Sequence, residues 1–355
     1  MADSTYDSQN ARTTRNPDRR ALLRGRRELL RGMTALAGAS YVVSGFSRTV
    51  EAAEPLPLQA PGDTTRFFPG FKPFKVEATG ATINGVVGGQ GPPLLLLHGA
   101  PQTHVSWRLV APKLAEQYTV VAPDLRGYGA SDKPPRGYDA PTLAADIAGL
   151  IRSTGERTAT IVGHDWGGHL AWTLAALHTP LVERIAVLSA PHPLQWLPAF
   201  AGKRQRNASR YMARFQLPWH PERWLVEDDA KNVGGLLHSW GGPGFPDPET
   251  ERRCRDAMQI LSAPHCALEY YRWAVRSVPR GDGRRFRTAM TPPITVPTLQ
   301  LHGELDPCVL PDTAAGSGRH VSADYRWQLL AGVGHFPHQE RPDVVTDAIV
   351  DWCRS

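Results

Sequence analysis

Cysteine is scarce, with four (Cys254, Cys266, Cys308, Cys353) in 355 residues. That is too few for a disulfide scaffold, so a hydrophobic core must hold the fold. Cys254 and Cys266 lie close in the chain, and the sequence leaves open whether they form a bridge or two buried thiols. No apolar run reaches the roughly 20 residues of a membrane-spanning helix, so stable membrane insertion is not expected. Charge of one sign is lacking too. The formal charge is +6, but residues 1–53 hold nine Arg against five acidic residues, or +4, which leaves +6 − 4 = +2 for the rest. That balance, with no recognition motif, argues against a nucleic-acid partner. There is no internal repeat. Glycine (33) and proline (32) are plentiful, which predicts many loops between short elements.

Residues 1–53 form a segment apart. Gly25-Arg26-Arg27-Glu28-Leu29-Leu30-Arg31 resembles a twin-arginine motif, a moderately apolar stretch runs from Gly32 to Phe46, and Val50-Glu51-Ala52-Ala53 offers small residues for cleavage. This order marks a processing segment rather than part of the fold. The expectation is export to the periplasm or outside the cell, with the twin-arginine machinery and a signal peptidase as partners. The alternative is a cytoplasmic protein with a disordered Arg-rich tail.

From about Lys72 the chain alternates short apolar runs with helix-like segments, the pattern of a mostly parallel sheet covered by helices. Strands are expected at 74–79, 81–88, 93–97, 118–122, 158–162, 185–189, 298–302 and 326–330, the first two as an antiparallel pair. Helices are expected near 105–117, 142–154, 168–178 and 341–353. Between Pro191 and Pro297 the pattern shifts to Trp, Tyr, Arg and Pro with helical spacing, which reads as an inserted helical lid. The core is then 54–190 and 298–355, and the lid 191–297.

The strongest motif is Gly163-His164-Asp165-Trp166-Gly167-Gly168, set between an apolar strand and a helix. The glycines permit a sharp turn that exposes the middle side chain above the sheet, as in a nucleophile elbow, and the helix N-terminus favours a negative charge there. An aspartate changes the chemistry. A carboxylate attacking an ester would give an anhydride, whereas attack on an sp³ carbon gives an ester that water can hydrolyse. Epoxides and alkyl halides offer such a carbon. His98-Gly99-Ala100-Pro101-Gln102 follows another strand, and the backbone N–H groups of Ala100 and Trp166 are candidate oxyanion donors. His98 reads as a loop residue satisfied by hydrogen bonds, beside a candidate place among the substrate contacts. Gly332-Val333-Gly334-His335 places His335, alone of the thirteen His, after the last strand, where a general base is needed. His338 is expected at the surface. Asp306 in Leu301-His302-Gly303-Glu304-Leu305-Asp306 is the candidate to orient His335, with Glu304 as fallback. Asp124-Leu125-Arg126-Gly127-Tyr128-Gly129 reads as a structural loop without a phosphate-binding fingerprint.

Together HGAPQ, DLRGYGASD, GHDWGG, LHGELDP and GVGHFPHQERP resemble the epoxide hydrolase-like branch of the α/β-hydrolase superfamily, over residues 72–355. The resemblance implies an eight-stranded, mostly parallel sheet with helices on both faces and a helical lid, an epoxide substrate, and no metal or cofactor. It also implies lid tyrosines that protonate the epoxide oxygen. Glu269-Tyr270-Tyr271-Arg272 puts Tyr271 in that role. The second tyrosine would precede Phe215-Gln216, where this chain has Arg214. Tyr211, three residues earlier on the same helical face, is the substitute, and Arg214 is a candidate contact for an anionic group. Haloalkane and fluoroacetate dehalogenases are the rival resemblance. The first carry Asn where Ala100 stands, and the second carry Arg where Trp166 stands. A ligand-binding protein on a hydrolase scaffold is the third reading. Export predicts that the exported fraction contains protein shortened near Ala52 or Ala53 by mass spectrometry; full-length chain alone would contradict it.

Overall fold

The computed structural model describes residues 66–354, so the expected export segment lies outside the described residues. Eight strands form one sheet: β1 (Lys72–Glu77), β2 (Thr82–Gly88), β3 (Pro93–Leu97), β4 (Thr119–Pro123), β5 (Ala159–His164), β6 (Val182–Leu188), β7 (Thr298–Gly303) and β8 (Tyr325–Leu330). Their order is β1-β2-β4-β3-β5-β6-β7-β8. β1 and β2 pair antiparallel, β2 runs antiparallel to β4, and every later pairing is parallel. Each expected strand is present.

Burial explains the order. Leu94, Leu95, Leu96 and Leu97 of β3 are fully buried, as a central strand covered on both faces requires. Each such side chain contributes roughly 1.5–3 kcal/mol by leaving water. β5 and β7 are buried along their whole length, whereas the edge strand β8 is mostly half-buried or exposed.

The connections place helices on the sheet. α1 (Ala111–Leu114) follows a 3₁₀ turn at His104–Trp107. The single helix expected near 105–117 is therefore broken, because Pro112 lacks the N–H that a continuous helix would use. α2 (Ala140–Ser153) is capped by Asp139, whose carboxylate accepts from the Thr142 N–H. α3 (Trp166–Leu177) starts directly behind Asp165, and its first ten residues are buried.

Between β6 and β7 the chain forms the expected helical insertion. It holds α4 (Trp196–Ala201), α5 (Lys203–Ala208), α6 (Tyr211–Arg214), α7 (His220–Trp240, interrupted at Glu227–Ala230), α8 (Pro248–Gln259), α9 (Ala263–Arg276) and α10 (Gly281–Ala289). Arg272 on α9 ties these together: it donates to the Phe215 and Leu217 carbonyls and pairs with Glu222 at 2.7 Å. After β7 come α11 (Pro311–Ala315), α12 (Pro337–Glu340) and α13 (Pro342–Arg354). Cys254 and Cys266 are buried free thiols, which answers the open question of their pairing.

The Asp124–Ser131 loop joins sheet to lid. Arg126 makes a two-pronged contact with Asp146 of α2, at 2.7 Å on each prong, and its carbonyl accepts from the Tyr270 hydroxyl. Both charged side chains are buried. Asp146→Ala would leave the buried guanidinium with the Thr79 carbonyl but no opposite charge, so chemical denaturation should show a loss of about 3–5 kcal/mol. A loss under 1 kcal/mol would contradict this role.

Candidate active site

Parallel register brings the carboxyl ends of β3, β5, β6 and β7 level, with Leu97 beside Gly163, His164 beside Leu188, and Leu188 beside Leu301. At this edge the chain leaves β5 through Asp165, whose φ of 50° and ψ of −113° lie outside the regions ordinary residues favour. The glycines around it are required by contact. A Cβ on Gly163 would come 2.2 Å from the Gly167 carbonyl oxygen, and one on Gly99 would come 2.5 Å from the Asp165 Cβ.

The strained turn projects the Asp165 carboxylate over the sheet. Its Oδ1 accepts the Ala100 N–H at 2.9 Å, and its Oδ2 lies 3.7 Å from His335 Nε2. The Trp166 backbone N–H makes no hydrogen bond to the resting carboxylate. His335 Nδ1 meets Asp306 Oδ2 at 2.8 Å, and Asp306 Oδ1 accepts the Cys308 and Val309 N–H groups at 2.8 and 3.0 Å. The structure thus brings Asp165, His335 and Asp306 into one chain of contacts. Glu304 lies elsewhere and accepts the Gly332 N–H at 3.1 Å.

Burial alone would lower the His335 pKa, but the charge and hydrogen bond of Asp306, with those of Asp165, reverse this and raise it from 6.5 to about 10. For both carboxyls, burial pushes upward and is outweighed, chiefly by His335, so both pKa values fall. At neutral pH the resting site is a carboxylate–imidazolium–carboxylate array, with Asp306 and His335 buried and Asp165 partly exposed.

Beside Asp165 opens a cavity of about 100 Å³, lined by Tyr211, Tyr271, Trp166, Phe200 and Phe286 among others. The Tyr211 and Tyr271 ring centres are 6.0 Å apart, and the Tyr271 and Trp166 rings meet edge to face at 5.0 Å. Burial, then the negative charge of Asp165, push the Tyr271 phenol well above its ordinary pKa, so it stays protonated. The Trp166 indole N–H is buried without a hydrogen-bond partner; the Tyr271 hydroxyl lies near it without completing a bond.

Three expectations need correction. Arg214 is exposed and stacks on Trp224 at 4.4 Å, away from the cavity, because its position on α6 faces solvent while Tyr211 faces inward. His98 is buried but does not line the cavity; its Nε2 accepts the Leu125 N–H at 3.0 Å and its other ring nitrogen meets the Gly99 carbonyl. His338 is fully buried rather than at the surface, packed against Trp107 at 4.4 Å and His164 at 4.5 Å.

Sequence reasoning missed the residues that hold the His335 loop. His164 Nε2 donates to the His335 carbonyl at 2.7 Å, the His335 N–H donates to the Trp240 carbonyl, and Glu340 accepts the Gly334 and Phe336 N–H groups. His164 and Glu340 both lie inside motifs already singled out, so adjacency was the available signal. Among the described residues, Asp306, Cys308 and His335 bring potential metal-ligand atoms within 4.8 Å of one another. Asp306 is already engaged by His335 and two N–H groups, and burial raises the Cys308 thiol well above its ordinary pKa. The thiolate a metal would require is therefore disfavoured.

A family model described as the alpha/beta hydrolase family matches residues 94–348. The chain belongs to the α/β-hydrolase family. This hydrolase is 31% identical over 291 residues to epoxide hydrolase 3 of Xenopus tropicalis, covering 79% of this chain and 77% of that protein. It is 36% identical over 220 residues to a fluoroacetate dehalogenase of a Burkholderia species, covering 58% and 70%. The crystal structure of epoxide hydrolase A from Mycobacterium thermoresistibile superposes with a TM-score of 0.68 at 28% identity, covering 80% and 98%. The protein is an enzyme of the epoxide hydrolase-like branch.

The raised His335 pKa makes stability depend on pH. Its stabilising charge is fully present below the ordinary value of 6.5 and is lost as pH rises toward about 10. The melting temperature of this hydrolase should therefore fall more steeply from pH 7 to 10 than that of His335→Gln. Parallel profiles would contradict the assignment.

Proposed function

We propose that this enzyme hydrolyses epoxides to vicinal diols through a covalent ester on Asp165. The observation that carries the reading is one carboxylate on a strained turn, within reach of an Asp-paired imidazole and facing a cavity that holds two tyrosines.

In the first step an Asp165 oxygen attacks the less hindered epoxide carbon. The C–O bond breaks, and the Tyr271 hydroxyl, assisted by Tyr211, gives the departing oxygen its proton. A carboxylate attacking carbon needs no metal, and the phenol supplies the acid that an alkoxide leaving group requires. The ester no longer bears the Asp165 charge, so His335 loses one of the two carboxylates that hold its proton. Its pKa then drops, so the imidazolium gives its proton, through solvent, back to the Tyr271 phenolate left by the first step, and the neutral imidazole can accept a proton from water. Water attacks the Asp165 carbonyl carbon, and the Ala100 N–H holds the oxygen on which charge develops, with the Trp166 N–H as second donor. Collapse restores the carboxylate and releases the diol. Asp306 keeps the His335 ring oriented throughout.

A second reading, displacement of halide from an alkyl halide, draws on the unpartnered Trp166 indole N–H and on the dehalogenase relative. Tyrosine chemistry separates the two, because a halide leaves without a proton. Tyr271→Phe should lower kcat on styrene oxide about 10²-fold or more and leave bromoalkane turnover within a few-fold. Equal loss on both, or turnover of bromoalkane alone, would contradict the epoxide reading. We propose further that residues 1–53 direct export of the enzyme through the twin-arginine machinery.

A further inference from the structure

The cavity beside Asp165 is apolar over most of its wall, yet besides the Trp166 indole N–H three further buried polar atoms on that wall have no protein partner. They are His169 Nε2, Ser189 Oγ and the Trp273 indole N–H. None belongs to the catalytic array. His169 lies one turn beyond Asp165 on α3, and its ring stands 5.4 Å from Trp166 and 6.0 Å from Phe286. Trp273 of α9 meets the same Phe286 ring at 5.3 Å. Ser189 leaves β6 with a φ of 53° and is fully buried.

A buried polar group without a hydrogen bond costs about 1–3 kcal/mol, and native interiors rarely carry three around one space. A ligand that satisfies them explains their presence. Trp273 can only donate, and Ser189 and a neutral imidazole can each donate, so the complementary group is an acceptor. Burial lowers the His169 pKa to about 4, so no imidazolium awaits an anion there. Arg287, also on the wall, donates to the Val278 carbonyl, and the nearby Asp165 carboxylate repels a second negative charge.

We infer that His169, Ser189 and Trp273 form a polar subsite that receives an uncharged acceptor oxygen, a carbonyl or ether, on the arm of the substrate remote from its reacting carbon. The substrate class becomes a lipophilic, oxygen-bearing molecule rather than a plain hydrocarbon epoxide or a small haloacid. The subsite rests on the epoxide reading only for which end of the ligand reacts.

The test first uses unreactive ligands of one shape. Acetophenone and ethylbenzene differ in a carbonyl oxygen against a methylene, and an apolar pocket favours ethylbenzene because water holds the ketone. Calorimetry on the full-length enzyme should show acetophenone binding about fivefold tighter than ethylbenzene. His169→Met should reverse that order, and His169→Gln, which keeps a donor, should retain part of it. An unchanged ratio in His169→Met, a preference for ethylbenzene in the wild type, or no binding of either overturns the subsite. Turnover then separates the two readings. 4-Acetylstyrene oxide should exceed 4-ethylstyrene oxide in kcat/KM by a ratio that falls at least fivefold in His169→Met. Turnover of both oxides with a ratio unmoved by the substitution overturns the subsite and leaves the epoxide reading standing. Ketone-selective binding without turnover of either oxide does the reverse.

Discussion

Two carboxylates, one buried and one facing a cavity, contend for one imidazole. Asp306, fixed by two backbone N–H groups, grips His335 Nδ1 at 2.8 Å, and Asp165 faces the opposite nitrogen at 3.7 Å. Two of the three charges are buried and the third largely so, which is tolerable only because each sits beside its complement. The surrounding structure follows from this demand. The sheet register aligns the strand ends that supply Asp165 and Asp306, the glycines let the backbone turn sharply enough to present Asp165, and His164, Trp240 and Glu340 hold the His335 loop by backbone contacts.

The same arrangement gives the proposed chemistry its sequence of events. While Asp165 is ionised, His335 keeps its proton and cannot act as a base. Once Asp165 is esterified, its charge is gone and the imidazole is released for the second step. Base strength is thus switched by the chemistry itself. The lid contributes acid and enclosure: Tyr271 and Tyr211 face Asp165, Arg272 locks the segments that carry them, and aromatic side chains exclude water from the charges below.

Legibility differed by physical cause. The strands were readable because continuous apolar runs such as Leu94–Leu97 have few other uses, and the elbow because Gly-x-Asp-x-Gly between strand and helix is a tightly constrained pattern. Tyr271, rather than its neighbour Tyr270, reaches the cavity, a distinction that α9 settles by pointing the Tyr270 hydroxyl at the Arg126 carbonyl. Properties set by tertiary packing were not readable. Arg214 turns outward because Trp224 offers it a ring, and His338 is buried by Trp107, more than two hundred residues away in the chain. His169 carries no signal in the sequence, and only the fold places Phe286 and a cavity against it.

The most direct test of the covalent account follows one oxygen atom. A single turnover of styrene oxide, with enzyme in excess in ¹⁸O-enriched water, puts the solvent oxygen in one of two places. If Asp165 forms the ester and water attacks its carbonyl carbon, the diol carries ¹⁶O from the protein and the peptide containing Asp165 gains the label. If water attacks the epoxide directly, the first diol is labelled and the Asp165 peptide is not, and the account fails.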